Sequence, residues 1–149
     1  MSLVVLDTNI LVSSLWSKDG IPSKIVKMVL DKKLVICHDF RIMNEYKIVL
    51  NRPKFSFNPN DIHDLLDFFQ KHGVSIIADQ QEPTLRVEQA KLIFTDESDR
   101  KFYDVARTLV NQELNATLIT GNLKHYPKKP FILSATEFFV TFAEVSGGI

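Results

Sequence analysis

Short apolar runs of about four residues alternate along this chain with longer stretches of helical period, and that alternation constrains its fold more than any other feature. A strand buried on both faces reads as a continuous apolar run, so the pattern predicts a parallel sheet with helices on both sides. Strands are expected over 3–6, 34–37, 74–77 and 117–120, each β-branched or leucine-rich. A fifth, over 131–133, belongs at an edge because Pro130 precedes it. Helices fill the gaps, at 9–16, at 22–31 with Ile25, Val26, Val29 and Leu30 on one side, and at 40–51 with Asp39 as cap and Pro53 as stop. Others run over 60–72, closed by Gly73, over 97–113 and over 135–144, while 80–93 is polar at first and helix-like from Leu85. No repeat or linker divides the 149 residues, a length suited to one domain that buries its core without disulfides or structural metal.

Composition removes several function classes. Lys+Arg and Asp+Glu are equal at 18 each, so affinity for nucleic acid must come from local clusters rather than from overall charge. Cys37 is the single cysteine, which excludes an internal disulfide framework and, without paired histidines, a zinc finger. The apolar run at 3–6 is broken by Asp7 and has no basic leader, and no run reaches membrane-spanning length. A soluble cytoplasmic protein is the expectation.

Ligands of open α/β sheets bind beyond the carboxyl ends of the strands, and the residues there are mostly acids and amides. The first strand delivers Asp7, Thr8 and Asn9, the second His38 and Asp39, and the one ending at Thr120 delivers Gly121 and Asn122. Asp7, an isolated acid after a buried strand, either caps the next helix or meets a cation. Glu45 lies at the border of the stripe formed by Ile42, Met43, Tyr46, Val49 and Leu50, so it either reaches along the sheet edge toward Asp7 or sits in solvent. In the long helix the advance of about 100° per residue puts Asp99 on the side of Phe102, Val105, Ala106 and Leu109, and Asp104 roughly opposite, on a solvated face. Asp99 also suits a helix start, with Asp96 as cap. Converging carboxylates repel unless a cation neutralises them, and a set of oxygen donors selects a hard ion such as Mg²⁺ or Mn²⁺. Sites of that kind commonly hydrolyse phosphodiesters, the metal activating water and stabilising the leaving oxygen.

Four segments in order, VLDTNIL at 5–11, Asn44, Glu45 and Tyr46 with Val49 and Leu50, DESDRKFYDVA at 96–106, and LITGNLKHYP at 118–127, resemble the PIN domain family in the branch that contains toxins of toxin-antitoxin pairs. The resemblance implies a three-layer α/β/α, Rossmann-like sandwich with a central, mostly parallel sheet of four to five strands. It further implies Mg²⁺- or Mn²⁺-dependent cleavage of RNA, a small antitoxin protein as partner, and a homodimer. Carried over by position, Asp7, Glu45 and Asp99 match the family's acids as catalytic residues and metal ligands. Asn122 stands where many relatives have a fourth acid; an amide brings an oxygen but no charge. Asp104 falls where relatives often carry another acid and is kept as an outer contributor. Thr8, Asn9 and Thr120 are candidates to hydrogen-bond a ligand carboxylate, with strand-end turn contacts as the alternative.

Lys124, His125, Lys128 and Lys129 follow the TGN turn and are candidates for RNA phosphates, with Tyr126 available for base stacking; the alternative is a solvated loop shaped by Pro127 and Pro130. Arg100 and Lys101 either bind phosphate or pair with Asp96, Glu97 and Asp104 on their own helix. Phe55, Phe57, Phe68 and Phe69 read as core or oligomer surface rather than as a nucleobase platform. Beside the ribonuclease stand two other readings, an RNA-binding or protein-interaction module with little catalysis and an aspartyl phosphatase. The last needs a second Asp two residues after Asp7, where the chain has Asn9.

Overall fold

The computed structural model describes residues 2–78 and 97–145, so the reading of 80–93 and the role of Asp96 lie outside the described residues. Strands β1 (Ser2–Leu6), β2 (Leu34–His38), β3 (Val74–Ser75), β4 (Ala116–Thr120) and β5 (Ile132–Ser134) form one sheet in the order β3-β2-β1-β4-β5. Every pairing is parallel, with Val4 opposite Ile36 on one side and Thr117 on the other. Val4, Val5 and Leu6 are consecutive and all fully buried, as are Leu118 and Ile119, which requires cover on both faces of the sheet. Six α-helices among the described residues supply it: α1 (Thr8–Trp16), α2 (Ile21–Leu30), α3 (Phe40–Leu50), α4 (Pro59–His72), α5 (Arg100–Asn111) and α6 (Ala135–Val145). The expected three-layer α/β/α architecture is the observed one. None of these helices is long and apolar enough to cross a membrane.

Local chemistry sets most of the boundaries. Asp39 accepts a hydrogen bond from the Ile42 amide and caps α3, and Asn58 does the same for Asn60 ahead of α4, where Pro59 takes the first helical position. Ser134 and Glu137 exchange reciprocal bonds with each other's backbone N–H to open α6. Gly73 ends α4 for a steric reason: a Cβ there would lie 2.5 Å from the Phe69 carbonyl oxygen and 2.6 Å from that of Ile36. Its backbone is extended rather than left-handed, so the close approach to β2 is what demands glycine.

Two expectations need correction. The strand read over 74–77 is only Val74–Ser75, with one more ladder bond from the Ile76 amide to His38; Ile77 is 96% exposed, because β3 is an edge that leaves the sheet at once. The helix read over 97–113 opens with a 3₁₀ turn, Glu97–Asp99, and becomes α-helical at Arg100. The strand order reverses at β1, which has β2 on one side and β4 on the other, and the crevice beyond their carboxyl ends is where such sheets bind ligands.

Candidate active site

Asp7 leaves β1 at that crevice and occupies the N-cap position of α1, yet its side chain makes no cap hydrogen bond. Its Oδ2 instead accepts two hydroxyls, from Thr120 at 2.9 Å and from Tyr126 at 2.8 Å. The residue is 5% exposed, and among the described residues no Lys, Arg or His stands within ion-pair distance of it. Burial raises its carboxyl pKa above the ordinary 3.8; the two hydroxyls oppose that rise, the charge of Glu45 adds to it, and the backbone N–H of Asn9 opposes it more weakly.

Thr120 is the hub of the opposite wall. Its Oγ1 donates to Asp7 and accepts from the Asn122 amide at 3.0 Å, so the turn after β4 is tied to the carboxylate after β1. Asn9 ties the same turn from the other side, its Oδ1 accepting the Gly121 amide at 3.0 Å. Asp99 stands at the start of α5, with His125 Nδ1 3.1 Å from its Oδ2, and the Asn122 side-chain amide is 3.0 Å from the other ring nitrogen of His125. Asp7, Thr8, Asn9, Asp99, Asn122 and His125 line one open cavity of about 310 Å³.

Glu45, in the middle of α3, points toward this crevice rather than into solvent. Thr8 Oγ1 donates to its Oε2, and Lys101 Nζ lies 2.6 Å from its Oε1. Both partners of the ion pair are largely buried, the glutamate side chain 24% and the lysine side chain 15% exposed. Lys101 therefore pairs with an acid on another helix. Tyr46, one residue on, donates its hydroxyl to the Leu6 carbonyl and holds α3 against the end of β1.

Other expected residues lie elsewhere. Asp104 is 2% exposed, not solvated: the far side of α5 is covered by α3, whose Arg41 reaches it at 3.4 Å, with Arg100 at 3.8 Å. A helical wheel takes the side away from the sheet for solvent; here a second helix lies over it and brings the counter-charge that a buried acid requires. Burial raises the Asp104 carboxyl pKa and the two arginines oppose the rise. Tyr126 is buried with its hydroxyl on Asp7, which removes it as a base platform. His38 turns its Nε2 to the Phe69 carbonyl at 2.9 Å, and Asp39 is taken up by the α3 cap and Arg41. Lys124, Lys128 and Lys129 line a separate depression with Pro127 and Glu137, so of the four basic candidates only His125 faces the acids.

Lys101 on Glu45 and Tyr126 on Asp7 were the contacts that sequence reasoning missed. Both join residues far apart in the chain, and no local periodicity marks them.

The donor chemistry bears on whether a cation fits. Among the described residues no three His, Cys, Asp or Glu side chains already form a metal cage. Yet a buried carboxylate with no counter-cation among the described residues, a second carboxylate and an amide oxygen share one cavity, and hard divalent ions take such oxygen donors. Asp7, Asp99 and Asn122 have the donor chemistry for that group. Glu45 joins them only by giving up Lys101.

Comparison with known proteins agrees with the fold. Over 122 residues, 80% of this chain and 70% of the relative, the sequence is 32% identical to uncharacterized protein MJ1680 of Methanocaldococcus jannaschii. A chain in the crystal structure of VapBC2 from Rickettsia felis, bound to a DNA fragment from their promoter, superposes with a TM-score of 0.51 at 22% identity. That likeness covers 89% of this chain and 97% of the other and speaks for the fold. A family model described as PIN domain matches residues 3–124, from β1 through the turn after β4 that carries Asn122, and on that match the chain belongs to the PIN domain family.

Proposed function

We propose that this protein is a metal-dependent endoribonuclease, the toxin component of a toxin-antitoxin pair, acting in the cytoplasm as a homodimer. The observation that carries the reading is Asp7, a buried carboxylate at the carboxyl end of the central strand with no counter-cation among the described residues, sharing its cavity with Asp99 and Asn122. A bound Mg²⁺ or Mn²⁺ would supply the charge that activates water and stabilises the leaving oxygen of a phosphodiester. The chain's own part is to hold and orient. Thr120 and Tyr126 both donate to Asp7 Oδ2, which fixes the carboxylate plane. Thr8 orients Glu45, and His125 orients Asp99. Lys101 neutralises Glu45, which limits the repulsion among the acids. The toxin assignment draws on the branch that the motifs resemble and on the VapBC2 likeness, which support a small antitoxin protein as partner.

The test is to incubate the purified chain with single-stranded and hairpin RNAs in Mn²⁺, in Mg²⁺ and in chelator, with Asp7→Asn in parallel to exclude contaminating nuclease. Cleavage that requires both the metal and Asp7 supports the reading. RNA retention without cleavage would favour the binding module, which Asn122 in place of an acid and the Lys101 contact to Glu45 make the second reading; Asn122→Asp is then the first variant to assay. A neighbouring reading frame for a small DNA-binding protein supports the toxin assignment, and its absence counts against it.

A further inference from the structure

The wall of the acid cavity continues into a cluster of rings. Phe55 and Val12 line the cavity together with Asp7 and Asp99. Phe55 stacks on Phe57 with centroids 5.3 Å apart, and Trp16, at the end of α1, meets both edge-on at 6.0 and 6.1 Å. Trp16 is 65% exposed, and the two phenylalanines are half-buried. The turn that carries them is basic: Arg52 and Lys54 are exposed, Lys54 Nζ lies 5.1 Å from the Phe55 centroid, and no acid occurs between residues 52 and 60. A helix advances 1.5 Å per residue, so Trp16 lies about 12 Å beyond Thr8 and the cavity mouth.

We propose that Trp16 and Phe55 form a nucleobase-stacking subsite, with Arg52 and Lys54 on the adjoining phosphates, which takes the single-stranded nucleotides flanking the phosphate that enters the acid cavity. The proposal rests on the ribonuclease reading for what enters that cavity, but its own support is the ring cluster. Aromatic faces bind any unstacked base, and a basic turn beside them matches the charge of the strand. An exposed ring set of this kind also suits a protein contact, but continuity with a carboxylate-lined cavity and the two cations beside it favour a polyanion whose backbone reaches the site. Paired RNA offers no free base faces, so the subsite selects single strands.

Trp16 is the sole tryptophan, which makes its fluorescence a direct reporter. A short labelled oligoadenylate is titrated into the protein in chelator, where no cleavage occurs, and label anisotropy and Trp16 emission are followed together. The expected result is quenching of Trp16 that saturates with the anisotropy, with no quenching by the same sequence in a duplex. Phe55→Ala should weaken single-strand binding by about 5- to 100-fold, and Phe55→Tyr should restore most of it. A rise in anisotropy with Trp16 silent, equal quenching by duplex, full affinity in Phe55→Ala, or no binding at all would overturn the proposal. So would a change of oligomeric state in Trp16→Ala at unchanged RNA affinity, which assigns the rings to a protein contact. Metal-dependent cleavage with Trp16 silent refutes the subsite and leaves the nuclease; saturable quenching without cleavage in metal does the reverse.

Discussion

Replacing Asp7 by Asn should make the metal-free protein more stable while removing its activity. Burial raises the carboxyl pKa in the folded state above the unfolded value, so the folded chain binds the proton more tightly than the unfolded one. Stability contributed by this group is therefore present at low pH and lost as pH rises through the folded pKa, and the parent is penalised most at neutral pH. Asn removes the charge and keeps the shape. Because Thr120 and Tyr126 both donate to the same oxygen, an Asn with its Oδ1 in that place keeps both bonds. The expected gain is about 1–2 kcal/mol, which for a domain of this size raises Tm by about 3–6 °C. Thermal unfolding in chelator at neutral pH measures it, and the gap between parent and variant should close as pH falls toward 4. Adding Mn²⁺ should reverse the order, since an ion that binds only the folded parent adds about 2.7 kcal/mol at a concentration of 100 Kd. Tyr126→Phe gives an internal check: it should cost about 1.5–3 kcal/mol when the acceptor is ionised Asp7, and about 0.5–1.5 kcal/mol in the Asp7→Asn background. A metal-free Asp7→Asn that melts below the parent, or a gap that stays flat with pH, would refute the reasoning and make Asp7 a structural acid.

Three further outcomes follow from the geometry. Lys101→Met should lower metal-free stability by about 1–2 kcal/mol, by leaving a largely buried Glu45 without its ammonium, and should tighten Mn²⁺ binding several-fold in calorimetry; unchanged affinity would take Glu45 out of the metal site. Asp104→Asn should leave Mn²⁺ affinity within about two-fold of the parent, since Asp104 faces Arg41 and Arg100 rather than the cavity, whereas an Asp7-like loss would restore it to the ligand set. Gly73→Ala should cost about 1–3 kcal/mol in urea unfolding, because the new Cβ would press on the Phe69 and Ile36 carbonyls; a neutral result would show that α4 can move away from β2.

The layered parallel architecture was legible in the sequence, because a strand covered on both faces cannot hide its composition: Val4, Val5 and Leu6 read as buried from the chain alone and are. The positions of Asp7 and Asn122 near one sheet edge followed from local rules, since strand ends are set by sequence spacing, whereas the helix angle of Glu45 left it between that edge and solvent. What those side chains touch was not legible. The hydroxyl of Tyr126 meets a carboxylate 119 positions earlier in the chain, and Lys101 crosses from α5 to α3. Asp104 looked solvated because a helical wheel knows only one neighbour, the sheet, and the helix that covers its other side is an event of packing. Sequence by itself thus determined which elements form and which residues stand at their ends, because those depend on period and local backbone chemistry. Tertiary structure alone decided which acids are paired and left Asp7 buried with no cation beside it among the described residues, because desolvation and counter-charge come from residues that only folding brings together.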